Sequence, residues 1–406
     1  MTQIAIIGAG AAGCFAAANI PYRDGVSVTV FEKTGKAMQK VKASGGGRCN
    51  TTHALFDVPE LVTRYPRGKQ LLKKSLYRFS PTDTIDWFAK RGVQLKAEAD
   101  GRMFPVTDDS QTIIECIWQE MMRNQVQVRY HKAIASITKQ EDKLLLHFAD
   151  GSTFLADKVL ITCGGFPKQE QYKWLTDLGH SIQPPVPSLF TFNMPKHPIT
   201  QLMGVSVPDA TVRITGTKLT EHGPLLITHW GMSGPAVLRT SAWAARELSE
   251  RNYDFGIQIN WLVDVSEEDL RTQLADIRKE LGKQLVWHKN PFNLPRRLWE
   301  YQLQQASIGE EVKWGELPAA AQNKMIHFLI RDAYDVKGKT TFKEEFVTCG
   351  GITLSEINPQ TMESRIIQGI YFAGEILDVD GITGGFNFQH AWSSGYIAAC
   401  SVSVGS

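Results

Sequence analysis

The sequence predicts an α/β protein: a doubly wound parallel sheet with a small antiparallel β-meander, interrupted by a β-plus-helical insert. Three observations carry this. The chain opens on a short apolar run, "QIAIIGAG", which turns on glycines into an alanine-rich helical stretch. Two later runs, "KVLITCGG" and "GIYFAGE", read as buried strands of the same sheet. Between those two, from about residue 188 to 346, β-rich and then amphipathic helical segments replace the pattern, which marks an insertion.

At 406 residues the chain is long enough for two or three domains. A formal charge of +2 gives no general electrostatic reason for nucleic acid or an anionic membrane as partner, so neither is expected. The longest apolar runs are strand-sized, and "MTQIAIIGAG" enters a strand almost at once, without a signal peptide. The expected location is therefore cytoplasmic, with a small molecule as substrate. The six cysteines show no CxxC spacing, so neither a metal site nor a local redox pair is signalled, and free, mostly buried thiols are expected.

The opening strand leads into Gly8-x-Gly10-x-x-Gly13 and a helix beginning at Ala11 and Ala12; the next strand, "VSVTVFEK", ends in Glu32 and Lys33. This is the dinucleotide-binding fingerprint. The first glycine makes the tight turn, the second admits a pyrophosphate to the backbone, and the third lets helix pack on strand. The helix N-terminus offers unpaired N–H groups to the phosphates, and Glu32 offers a carboxylate to the ribose hydroxyls. The competing account is a simple structural turn.

The fingerprint does not distinguish NAD from FAD, but the following segment does. Instead of a short helix and a further strand, the chain runs through "KTGKAMQKVKASGGGRCNTTH". FAD has a second reactive half, the isoalloxazine ring, which needs bare backbone beyond the pyrophosphate. Gly45, Gly46 and Gly47 would allow that approach. Arg48 can neutralise phosphate or face an anionic substrate, Asn50 offers an amide to the flavin edge, and Cys49 lies beside them, read as structural. A solvated surface loop is the alternative. No second strand–GxGxxG–helix unit occurs, so NAD(P)H is expected at most as a transient donor.

Further along, "SPTDTIDWFAKRGV" reads as a helix starting at Ser80-Pro81, and "DDSQTIIECIWQEMMRN" as another capped by Asp or Ser, with "DGRMFP" a turn between them. "VQVRYH", "AIASITK", "KLLLHF" and "STFLADKVLIT" read as short strands of the meander, with "ADGS" as a hairpin turn. "KVLITCGG" then brings Gly164 near the nucleotide. The expected organisation is 1–189 for the first part of the FAD-binding domain, 190–344 for the insert and 345–406 for its C-terminal part. Within the insert, 190–265 is expected to be β and 266–344 helical, "LPAAAQNKMIHFLIRDAY" being its last helix.

In the C-terminal part, Gly374, Glu375 and Asp378 fall at the carboxyl end of "GIYFAGE", the ligand side of an open sheet. A cap-and-turn pair is the competing role for the two carboxylates. Gly384-Gly385 then leads into the helix "FNFQHAWSSGYIAA", whose N-terminus, with Phe386 and Asn387, would favour negative charge at the flavin pyrimidine.

This segment, with "GAGAAG", "SGGGRCN", "GRMFP" and "THWGMSGPAVL", resembles the YhiN/BaiN-like family of FAD-dependent flavoproteins from end to end. The resemblance implies an FAD-binding Rossmann domain interrupted by a β and helical insert, oxidoreductase activity, and FAD contacts at Gly8, Gly10, Gly13, Glu32, Gly46, Arg48, Gly374, Glu375, Asp378, Gly385 and Asn387. Two departures stand out. Thr52-His53 replaces the family's Thr-Asn pair, and "FPKQEQYKW" (166–174) replaces a glycine- and serine-rich loop.

A flavin moves hydride or electrons by itself, so the protein need only place a substrate and, at most, one proton donor. His229, in "ITHWGMSGPA", is the first candidate for that donor, against a histidine bonded into its own turn; His390 is the second, against interior packing. The expected function is hydride or electron transfer between flavin and a small or medium carbonyl- or alkene-bearing substrate. Two alternatives are a flavoprotein acting on RNA, against which stand the shortness of the basic stretch "RYPRGKQLLKK" (64–74) and the nearly neutral chain, and a non-catalytic FAD-binding regulator.

Overall fold

The computed structural model describes residues 1–263, 265–340 and 347–403. Two units are distinguished along the chain, residues 1–188 with 342–406 and residues 189–341. The boundary expected at 344/345 lies outside the described residues.

In the first unit five strands run parallel, in the order Ile370–Phe372, Lys158–Ile161, Thr2–Ile7, Val26–Phe31 and Gln127–Arg129. Thr2–Ile7 is central and buried from Ile4 onward, which is why it reads as an unbroken apolar run. From it the chain goes first to one side, at Val26–Phe31, and later to the other, at Lys158–Ile161. The crevice at its carboxyl end is therefore a topological switch point, where open α/β sheets bind ligands. The helix Ala11–Ala18 and the closing helix Phe386–Ser403 cross closely, since a Cβ on Gly395 would stand 2.8 Å from the Ala12 carbonyl oxygen.

The meander consists of Ile134–Gln140, Lys143–Phe148 and Thr153–Ala156, all antiparallel, with its second turn at the "ADGS" tetrad. "VQVRYH" does not belong to it. Gln127–Arg129 follows the helix Ser110–Arg123 as the return strand of a crossover and pairs in parallel with Val26–Phe31. "DGRMFP" is likewise more than a turn. Arg102–Pro105 is the middle strand of a small sheet with Thr52–His53 and Leu95–Ala97. The helix Pro81–Ala89 starts as the sequence predicts, with Ser80 and Asp83 in a reciprocal capping box.

The second unit is built on a seven-stranded antiparallel sheet. The helices Glu267–Glu280, Arg296–Gln305 and Ala319–Ile330 form as expected. The stretch expected to be β also holds the helices Pro235–Trp243 and Ala245–Glu250. Conversely "RDAY" does not continue the last helix: Asp332–Lys337 is a strand paired with Asp254–Asn260. Its alternating buried and exposed residues are the period-2 signal of a half-buried strand.

Candidate cofactor site

At the switch point Gly8 has φ 105° and lies so close to Cys163 that a Cβ would stand 2.7 Å from its Cα; a Cβ on Gly13 would stand 2.0 Å from the Gly8 carbonyl oxygen. These two glycines close the turn, while a Cβ on Gly10 would meet nothing nearer than 4.0 Å, which leaves its backbone open to a ligand. Ala11 and Ala12 begin a helix with no acidic residue in its first turn, so no side chain of its own offsets its partial positive charge. Glu32 accepts from the Ala9 N–H at 3.0 Å and from the N–H and hydroxyl of Thr34, each at 2.8 Å. A carboxylate has about four acceptor positions, so one remains for a ribose hydroxyl. Lys33 is exposed, its ammonium 5.8 Å from the ring centroid of Phe166.

The three glycines of "SGGG" are not equivalent. Gly45, Gly46 and Gly47 all have left-handed φ (59°, 69° and 87°), but only at Gly45 would a Cβ collide, 2.8 Å from the Phe104 ring. Gly46 and Gly47 have open space instead. The loop is thus pinned at its first glycine and bare at the next two, as a long planar ligand requires. Arg48 stacks 4.0 Å from the Phe104 centroid and pairs with Glu98 at 2.6 Å, so its charge is committed to the neighbouring small sheet. Cys49 is fully buried and its thiol is pushed up to about 11 by burial. The Asn50 amide bridges the Thr52 carbonyl (3.1 Å) and the Gly385 N–H (3.0 Å).

Gly164 and the Gly374–Asp378 segment follow adjacent strands of the parallel sheet. Glu375 pairs with Lys40 at 2.6 Å and accepts the Thr348 N–H at 2.9 Å; the Thr348 hydroxyl, buried beside it, has no hydrogen-bond partner among the described residues. The Asp378 N–H donates to the Ile352 carbonyl at 3.2 Å. Asn387 closes the next turn by bonding both the N–H (2.8 Å) and the carbonyl (3.0 Å) of Gly381. Phe386 is buried beneath that turn between His53 and Tyr65.

His390 is also buried. Its Nε2 meets the Gly374 carbonyl at 3.2 Å, Nδ1 has no partner among the described residues, and burial lowers its pKa to about 4. It is a neutral imidazole steadying the glycine turn. His229 belongs to the second unit, exposed at a hairpin tip with its ring 4.2 Å from that of Trp230.

Several residues of the first unit escaped the sequence reading. His53 bonds the Gly384 carbonyl, and Thr52 donates to Gln389 at 2.6 Å. Arg67 forms a two-pronged ion pair with the fully buried Asp380, which also accepts the Ser188 hydroxyl at 2.7 Å. The loop that departs from the family pattern is plugged by Tyr172, buried, its hydroxyl 2.8 Å from the Phe166 N–H. For His53 the departure at Thr52-His53 was a signal; for Arg67 and Asp380 the sequence holds none.

The residues present fit FAD: a bare turn at Gly10, a helix start with no acidic residue in its first turn, a free acceptor on Glu32, and open backbone at Gly46 and Gly47. Among the described residues no group of three or more His, Cys, Asp or Glu could hold a metal ion, and no helix is long and apolar enough to cross a membrane.

Comparison with known proteins agrees. The chain is 32% identical over 404 residues to the ribosomal RNA dihydrouridine synthase of Escherichia coli K12, covering 97% of this chain and 96% of the relative. It is 28% identical over 416 residues to the 3-dehydro-bile acid delta(4,6)-reductase of Clostridium scindens, covering 98% of each. The crystal structure of a 3-ketosteroid-delta4-(5alpha)-dehydrogenase from Rhodococcus jostii RHA1 superposes with a TM-score of 0.51 at 11% identity, covering 98% of this chain and 97% of that one, which shows a shared fold. The model of the HI0933-like protein Rossmann domain matches residues 2–401. The chain belongs to that HI0933-like family, the FAD-dependent oxidoreductase flavoproteins that its motifs resemble.

Proposed function

We propose that this protein is an FAD-dependent reductase of a carbon–carbon double bond conjugated to a carbonyl, and that its substrate is the ring double bond of uridine in RNA. The observation that carries the reading is chemical. Two full-length relatives are named for different substrates with one reactive unit. Dihydrouridine is uridine saturated at the double bond beside a ring carbonyl, and a 3-dehydro delta(4,6) substrate is a ketone conjugated to double bonds. Bound FAD, once reduced, supplies the hydride for the carbon β to the carbonyl. NAD(P)H, docking transiently, is the proposed source of reducing equivalents.

The chain's own residues bind and orient. Glu32 would hold a ribose of the cofactor, and the helix start at Ala11 would take its pyrophosphate. Gly46 and Gly47 would give the ring access to backbone. The start of the closing helix, with no acidic residue in its first turn, favours negative charge at the pyrimidine edge. His229 is assigned the proton for the carbon α to the carbonyl, and His229→Ala, losing turnover while keeping its flavin spectrum, checks that role.

RNA is preferred over an apolar small molecule because the relative at 32% identity is named for ribosomal RNA, and a second one, from Haemophilus influenzae, carries the same name at 28%. The bile-acid relative supports the small-molecule reading. The test is anaerobic. Protein bleached with NADPH is mixed with unmodified ribosomal RNA or with a steroid enone, and flavin reoxidation is followed. Reoxidation by RNA, with uridine gaining two hydrogens by nucleoside mass spectrometry, is expected. Reoxidation by the enone alone would select the second substrate, and reoxidation by neither would sink the reductase.

A further inference from the structure

Residues 64–78, "RYPRGKQLLKKSLYR", hold six cations and no carboxylate, so against a chain total of +2 the rest of the protein is net negative. The helix Lys69–Leu76 buries Leu71, Leu72, Ser75 and Leu76 and turns the remaining residues outward. Spacing of four residues sets these in two neighbouring rows, Lys69–Lys73–Tyr77 and Gln70–Lys74–Arg78. Lys69, Gln70, Lys73, Lys74, Tyr77 and Arg78 are all exposed, Tyr77 at 62%.

Some surface lysines are committed to carboxylates, as Lys96 is to Asp108, Lys132 to Asp150, Lys143 to Asp157 and Lys173 to Asp177, while others such as Lys90 and Lys283 form no such pair among the described residues. Lys73 and Lys74 have no such partner among the described residues. Their charge is available to an external polyanion.

The same segment is fastened to the turn that begins the closing helix. The Ile382 N–H donates to the Arg64 carbonyl at 3.0 Å, and the Tyr65 hydroxyl donates to the Phe386 carbonyl at 2.7 Å. Arg67 pairs with Asp380, and Gly68 packs on Val379 so tightly that a Cβ would stand 2.5 Å from its Cγ2. A ligand on the cationic rows is therefore held at a fixed register to residues 379–386.

We infer that this face is the docking surface for single-stranded RNA, Lys69, Lys73, Lys74 and Arg78 contacting phosphates and Tyr77 stacking on a base. The inference rests on the RNA reading above. Phosphate contacts supply affinity and position, while the exposed ring tolerates any base, so the face would guide RNA without choosing its sequence.

The test uses the FAD-loaded protein and a fluorescein-labelled, uridine-rich single-stranded RNA, with anisotropy followed across a salt titration. The variant Lys73→Glu/Lys74→Glu is compared with a charge-matched control in the second unit, Lys279→Glu/Lys283→Glu, and with Tyr77→Ala. For the first, binding about tenfold weaker and a salt slope shallower by about 1.4 are expected, since each single-strand phosphate contact contributes about 0.7. Tyr77→Ala should weaken binding several-fold with the slope unchanged, and the control should match wild type. Equal losses in both charge variants would overturn the assignment, leaving net charge as the cause. Wild-type affinity in the Lys73→Glu/Lys74→Glu protein would overturn the face while the RNA reading stands. Failure of the wild type to bind RNA, with turnover of a steroid enone, would remove the RNA reading itself. Loss of binding to anionic phospholipid vesicles but not to RNA would make the face a membrane contact and overturn the proposal.

Discussion

His53 places its Nδ1 atom 2.9 Å from the carbonyl oxygen of Gly384 while its ring stacks 4.6 Å from that of Phe386. One side chain thus fixes both the backbone and the first aromatic residue of the turn that starts the closing helix. Replacing it removes a hydrogen bond worth about 1 kcal/mol together with the ring contact. His53→Ala should bind FAD about tenfold more weakly, equivalent to about 1.4 kcal/mol. Titration of FAD into apoprotein reads this directly. Unchanged affinity would show that the turn holds its shape without the brace.

Arg67 and Asp380 should behave as a buried ion pair. Asp380 is wholly inaccessible, and removing the guanidinium leaves its carboxylate with the Ser188 hydroxyl as its remaining side-chain partner among the described residues. Arg67→Met is expected to cost ~3–5 kcal/mol of stability, whereas Arg67→Met/Asp380→Leu recovers most of it because no charge is left stranded. Urea unfolding of the apoproteins measures both. A double variant no better than the single one would mean that packing by the arginine stem, rather than charge, is what the site needs.

Burial holds His390 neutral, with a folded pKa of about 4 against an ordinary 6.5. Because the folded value is the lower one, its contribution to stability is complete above the unfolded pKa and is lost as pH falls toward 4. That interval corresponds to about 3 kcal/mol. His390→Asn should therefore show a flatter decline in unfolding free energy than wild type between pH 6.5 and 4. Parallel declines would indicate that the imidazole is hydrated in the folded state.

What the sequence revealed and what it concealed divide along physical lines. The Gly8–Gly13 turn, the Ser80 cap and the bare Gly46 are local: each depends on a few consecutive residues, and local chemistry is written in local sequence. The strand Arg102–Pro105 forms a local hairpin with Leu95–Ala97 across the Glu98–Gly101 turn, whose Asp100-Gly101 signal reads as a turn alone. Its pairing with the distant Thr52–His53 leaves no mark on the tetrapeptide itself. The strand Asp332–Lys337 was legible in its alternation but was masked by the helix running into it. Arg48 shows a third case: the residue type was noticed, but its engagement by Glu98 depends on the same unforeseen small sheet. Arg67 and Asp380 are two ordinary charged residues until the fold brings them together.

The bonds that shape the cofactor turn join segments 331 to 341 residues apart: Trp392 to the Thr51 carbonyl, Gln389 to Thr52, Gly384 to His53. Contacts spanning such separations are made late, after the intervening chain has been ordered. A nascent polypeptide still lacking its closing helix has the fingerprint glycines but no completed cradle. Flavin uptake during synthesis must then wait until residues 384–392 have been made and released to fold. Chains cut short before Gly384 should emerge colourless, so that pigmentation reports on whether this helix is in place.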